Sequence, residues 1–223
     1  MIWARMDSIP IRRVFIGLLV PVAVLSVMDF FPGSLNKTID NRFDLNGEAN
    51  IPTWYSTVLL ISVSLSALGI YLSGGLPSDA KGRRRASFWL GLSTMYGFFS
   101  LDEAARLHEI LDETTSIKWV YVYAPFAVAF LTACLLYLVT LPRDQGVVRR
   151  WILGGLALSC VGSMGFELMS HLWQPLPRFL QHVEFVLEEG SEMVGTIMVL
   201  MGCLVALSRI HPGRWGVGAA ERP

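Results

Sequence analysis

Charge is what this 223-residue sequence has least of: Asp, Glu, Lys and Arg make up 16% of it and cancel to a formal net charge of zero. Disordered segments and solvated coiled coils carry far more charge, so both are excluded. Cysteine is nearly absent, with Cys134, Cys160 and Cys203 inside apolar stretches and no C-x-x-C pair. That excludes a disulfide scaffold and a zinc knuckle and leaves the thiols as packing groups. No alternation of period two runs through the chain, which excludes a transmembrane β-barrel. Internal repeats of the kind that build inverted-repeat transporters are also missing. The start MIWARMDSIPIRRVFIGLLV has no A-x-A cleavage site and a long apolar run, so it is expected to be an uncleaved first span.

What the sequence has instead is apolar blocks, with 53% hydrophobic residues and a mean hydropathy of +0.50. Six can be marked: Val14 to Phe31, Trp54 to Gly74, Phe88 to Leu111, Trp119 to Leu141, Trp151 to Trp173 and Phe179 to Ile210. About 20 apolar residues cross a bilayer as a helix, the one open-ended structure that satisfies its own backbone in lipid. The expected fold is all-α, a six-transmembrane-helix bundle forming a single integral membrane domain over residues 1–223. Arg12 and Arg13, Lys81 with Arg83 to Arg85, Arg143 with Arg149 and Arg150, and Arg209 with Arg214 fall on one side of these spans. Only Lys37, Arg42, Lys118 and Arg178 join the spans on the other, so the positive-inside rule predicts that the N and C termini are cytoplasmic. These basic clusters stand where topology requires them and give no reason to expect nucleic acid as a partner.

Acids divide the opposite way. Asp7, Asp79, Asp144 and Glu221 lie on the basic side, and the rest fall in extracytoplasmic loops or the outer halves of helices. Topology does not require that asymmetry, because Asp and Glu contribute little to it. An ionisable group at the centre of a membrane helix costs about 2.5–3.5 kcal/mol, yet the third block carries SLDEAARLHEILDE, the fifth GFELMSHLW and the sixth HVEFVLEEGSEMVG. In a continuous third helix Asp102, Arg106 and Glu109 share a face, while His108 turns about 100° from Glu109. Glu167 and His171 are four apart on the fifth. Glu184, Glu188 and Glu192 form a stripe on the sixth, with Glu189 and His182 on a neighbouring face. Asp29, Asp112, Glu113 and Glu184 read as interfacial charges.

So many carboxylates around one Arg106 cannot all be ionised and unpaired. A divalent metal held by carboxylate and imidazole would balance them, and that mixture suits Mn, Fe or Zn. Glu167, His171, Glu188 and Glu192 are the expected ligands, Glu109 and Asp102 the expected catalytic carboxylates, with Arg106, His108, Glu103 and Glu189 beside them. A salt-bridged network around Arg106 and a proton relay are the alternatives. The spacing is neither H-E-x-x-H nor the Glu-x-x-His of di-metal bundles, and Asp40, Asp44, Asn46 and Glu48 miss the calcium-loop pattern.

The segments FDLNGEANIPTWYS, FSLDEAARLHEIL and EEGSEMVG together resemble a recurrent group of bacterial six-span integral membrane proteins with LDE…HE and EEGSEM motifs. The resemblance implies a multi-pass protein of the bacterial inner membrane and brings no established activity. Leu101-Asp102-Glu103 is similar to a motif of the alkaline ceramidase group of membrane hydrolases, which hold zinc with several His; the His upstream of that motif and the paired His on the last helix are lacking here. Three function classes follow: a metal-dependent membrane hydrolase or oxidoreductase acting on a lipid or small apolar substrate, a proton- or cation-coupled transporter, and a structural or accessory subunit. Membrane lipid, other membrane subunits or a second copy are the expected partners. The apolar inner halves of the fifth and sixth helices disfavour transport, and Gly154, Gly155, Gly162 and Gly165 permit close helix approach.

Overall fold

The computed structural model describes residues 11–30, 37–73, 80–115, 117–139, 145–166 and 177–210. The regular elements among them are all helical: α1 (Ile11–Asp29), α2 (Lys37–Phe43), α3 (Ile51–Leu72), α4 (Ala80–Ala105), α5 (Leu107–Thr114), α6 (Trp119–Val139), α7 (Gly146–Cys160), a π-helical turn (Val161–Phe166) and α8 (Arg178–Ile210). Five are long and apolar enough to cross a membrane: α1, α3, α6, α7 with its π turn, and α8 from Phe179. That is the make-up of a multi-pass membrane protein. At 26 residues α4 matches them in length, about 39 Å. Arg83 to Arg85 near its start and Asp102-Glu103 near its end keep it less apolar.

Side-chain contacts give the direction of each long helix. Asp29, at the end of α1, accepts from the backbone N–H of Leu45 at 3.0 Å and lies 3.2 Å from Nδ1 of His182 near the start of α8. α3 leaves this end and α4 returns to it, since the Ser100 hydroxyl donates to the Thr57 carbonyl and the Ser64 hydroxyl to the Ser93 carbonyl. α6 leaves again, with Tyr123 bonded to Asp102 here and Tyr137 stacked on Phe88 at 3.9 Å far below. α7 returns and α8 leaves, so the long helices alternate in direction and Ile11 and Ile210 lie at the same far end.

α8 is the centre of the bundle and packs most closely along α7. The reason is at Gly155 and Gly195: a Cβ built on Gly155 would stand 2.4 Å from the Gly195 carbonyl oxygen, and one on Gly195 would stand 2.6 Å from that of Gly155. Contact at this distance brings Ile152, Ile197, Val199 and Met201 into the buried core without a side chain between the backbones.

The third block is not one helix. α4 stops at Ala105, and Arg106 takes the left-handed conformation at φ 56°, ψ 42°, before α5 begins. Asp102 explains the break, because its carboxylate accepts the His108 backbone N–H at 3.0 Å and so supplies a partner for a donor that the interruption would orphan. The shared face expected for Asp102, Arg106 and Glu109, with His108 turned away, is therefore replaced by a different grouping. The fifth block departs in a second way: α7 passes into the π turn at Val161, and Glu167 and His171 lie outside the described residues.

Candidate functional site

Two local structures meet at the site end of the bundle. One is the short connection from α2 to α3. Asn50 caps α3, accepting the Thr53 backbone N–H at 3.1 Å while its amide donates to the carbonyls of Asp44 and Gly47, each at 2.6 Å. Asp44 accepts the Asn46 backbone N–H at 3.0 Å, so this carboxylate serves the turn. Leu45 is buried and tied to Asp29. Held from several directions, the connection presents Glu48, and Ala49 beside it adopts a left-handed φ of 55°.

The other is the break between α4 and α5. Asp102 accepts the Tyr123 hydroxyl at 3.0 Å on Oδ1, the oxygen that also takes the His108 backbone N–H, and lies 3.0 Å from His108 Nδ1 on Oδ2. A hydrogen bond at Nδ1 leaves Nε2 as the free ring nitrogen, and it lies 3.9 Å from Glu48 Oε1. Glu109 follows on α5 and pairs with Arg106. One ligand atom from each of Glu48, His108 and Glu109 falls within 4.8 Å of the others, the single grouping of this kind among the described residues. Oε2 of Glu48 is buried and has no hydrogen-bond partner among the described residues. On α5, an eight-residue helix beyond the break, the Asp102 hydrogen bond raises the His108 pKa above its usual value, opposed by burial and reinforced by the charges of Asp102, Glu48 and Glu103. The two left-handed non-glycine residues among those described, Ala49 and Arg106, both stand within two residues of this group. Such conformations cost about 1–3 kcal/mol each and persist where surrounding structure imposes them.

The triad forms the rim of a cavity of about 830 Å³. Its wall continues inward past Glu103 on α4, the rings of Tyr96, Phe98 and Phe99, and the α8 acids Glu188, Glu189 and Glu192. Arg106 is the one Lys or Arg among the described residues of this lining. The π turn brings the far wall close, because Gly162 lies so near α8 that a Cβ there would stand 2.7 Å from the Ser191 hydroxyl and 2.8 Å from Glu192 Cγ. π turns inside α-helices recur at functional sites, and this one faces the acids of α8.

Of the residues singled out from sequence, Asp102, Glu103, Arg106, His108, Glu109, Glu188, Glu189 and Glu192 all line this one cavity. Glu184 is buried but does not line it, and His182 pairs with Asp29 instead. Asp102 has both oxygens engaged, which makes it a positioning group. Glu48 enters the sequence reading only within a calcium-loop pattern that it misses, and not as a member of this site. Its signal is Asn50 with Pro52 behind it, a helix start that fixes the preceding turn.

The family model described as Domain of unknown function (DUF8692) matches residues 13–207. The chain belongs to that family. The DUF8692 match runs from α1 into α8 and contains every residue of the cavity wall. No curated protein and no solved structure matches the chain.

Proposed function

We propose that this protein is a six-span enzyme of the bacterial inner membrane, with both termini cytoplasmic, that uses a divalent metal at Glu48, His108 and Glu109 to act on a lipid-like substrate. Two carboxylates and one imidazole suit Mn, Fe or Zn. The observation that carries the reading is the pairing of His108 Nδ1 with Asp102, which points Nε2 at Glu48. Metal-bound histidines almost always have the second nitrogen bonded to a carboxylate, a backbone carbonyl or a water, which fixes ring and tautomer. Tyr123 and the His108 backbone N–H hold that carboxylate in place. Glu103, close enough to feel the charges of Glu48 and His108, is the spare carboxylate for proton transfer. When bound, the metal would polarise a substrate oxygen or activate water. The rings of Phe98, Phe99 and Phe126 along the wall suit an apolar chain.

Elemental analysis of purified protein tests this beside Glu48→Gln and His108→Ala variants. Metal near one per chain is expected, reduced to trace in both. Metal-free protein after purification without chelator, and after incubation with Mn, Fe or Zn, would end the reading.

A further inference from the structure

We propose that the inner part of the cavity receives a primary ammonium group carrying an apolar tail, so that the substrate of the proposed enzyme is an amphiphilic amine. The inference rests on reading the cavity as a substrate site and deepens it. Three observations carry it.

The first is uncompensated charge. Glu189 and Glu192 line the cavity, are partly buried, and have no side-chain hydrogen bond among the described residues. Glu103 and Glu188 stand close enough to repel them. Arg106, the one Lys or Arg of the wall among the described residues, is at the rim beside Glu109.

Spacing is the second. Among the described residues only the rim triad brings three ligand atoms within 4.8 Å of one another, so no three of the inner acids among them converge as tightly. An ammonium does not need three converging carboxylates, because it can donate to one or two and turn its remaining N–H groups to ring faces.

The third is the aromatic wall. Tyr96 and Phe99 have ring centroids 5.9 Å apart, Phe98 and Phe99 6.1 Å, Phe98 and Tyr123 5.9 Å, and Tyr123 and Trp119 5.6 Å. This line of rings runs from Tyr96 on α4 to Trp119, whose ring lies 5.5 Å from that of His108 at the rim. Ring faces attract a cation and bury the chain attached to it. A cavity of about 830 Å³ accommodates a medium-length amphiphile.

The test is equilibrium dialysis of octylammonium and of 1-octanol against the protein in amphipol, with EDTA present so that the rim holds no metal. Octylammonium is expected to bind at one per chain and about ten-fold or more tighter than the alcohol, the scale of one charge-assisted hydrogen bond or two. The Glu189→Gln/Glu192→Gln double variant, checked for folding by its melting curve, is expected to bind both probes alike. His108→Ala is expected to keep the preference, because the rim does not hold the ammonium. Equal binding of the two probes to the unaltered protein would overturn the proposal and assign protons as the balance of the inner acids. A preference that survives in the double variant would overturn it as well. Failure of the metal reading appears in elemental analysis and leaves this comparison intact, so the two outcomes are separable.

Discussion

The rim and the inner part of one cavity hold their acids by opposite means. At the rim Asp102 has the Tyr123 hydroxyl, the His108 backbone N–H and His108 Nδ1; Glu109 has Arg106; and Asp112 has Lys118 and the Trp119 backbone N–H. Farther in, Glu189 and Glu192 face the cavity with no such donor among the described residues. The rim acids are organised in advance by donors already in place. The inner acids are held near one another against their repulsion, at a cost the fold must offset through the packing of α7 and α8. Where the partners differ the roles differ too, with a rim built to orient one imidazole and an interior built to wait for a positive charge.

Removing the orienting carboxylate is the most direct way to break this contrast. Asp102→Ala frees His108 Nδ1 and leaves the Tyr123 hydroxyl and the His108 backbone N–H without their acceptor. Loss of a carboxylate behind a metal-bound histidine costs about 10–100-fold in affinity. Metal titration of this variant should show that fall, with octylammonium binding unchanged because the inner acids are intact. Equal loss of both would mean that rim and interior are one unit and that the contrast fails.

The contrast is sharpened from the other side at Gly162. A valine there must push against the Ser191 hydroxyl, Glu192 Cγ and the Glu188 carbonyl oxygen, all within 2.9 Å of the added Cβ. Overpacking of this kind costs about 1–3 kcal/mol. Gly162→Val should lower the melting temperature and weaken octylammonium binding, while the metal content of the rim stays near one per chain. A variant that melts as the parent does would show that the π turn yields freely and does not set the position of Glu192.

These regions are unequally legible in the sequence. Glu188, Glu189 and Glu192 stand out because lipid-length apolar helices tolerate few acids, so each one draws notice by its cost. The helix of the fourth block and the long sixth one can be placed closely for the same reason. Glu48 is hidden, since an acid in a polar connection is ordinary, and what makes it special is the Asn50 cap and the left-handed Ala49 that aim it. The break at Arg106 is hidden more deeply. SLDEAARLHEIL has the residues of an uninterrupted helix, and nothing local marks Arg106 as left-handed. Asp102 holds that conformation through bonds to His108 and to Tyr123, a residue 21 positions away on another helix. Tertiary partners override propensity there, and the π turn at Val161 belongs to the same class.

The smallest expected effect is at the outer edge of the rim. Asp112 accepts from Lys118 Nζ at 2.9 Å and from the Trp119 backbone N–H at 2.6 Å, closing the turn between α5 and α6. The Lys118 hydrogen bond leads in holding its pKa below the usual carboxylate range, with burial acting the other way. A depressed carboxylate stabilises the fold above its unfolded-state pKa of about 4 and loses that contribution as pH falls through the lower folded value. Asp112→Asn should therefore melt slightly below the parent at neutral pH, and the two should converge as the solution is acidified past about pH 4. The gap is small because solvent reaches this pair and screens it. Curves that stay parallel through that range would show that Asp112 acts through its backbone contact alone. Preorganisation of the rim by charge would then begin at Asp102, where the imidazole is held, and the turn that carries Trp119 would be closed by geometry only.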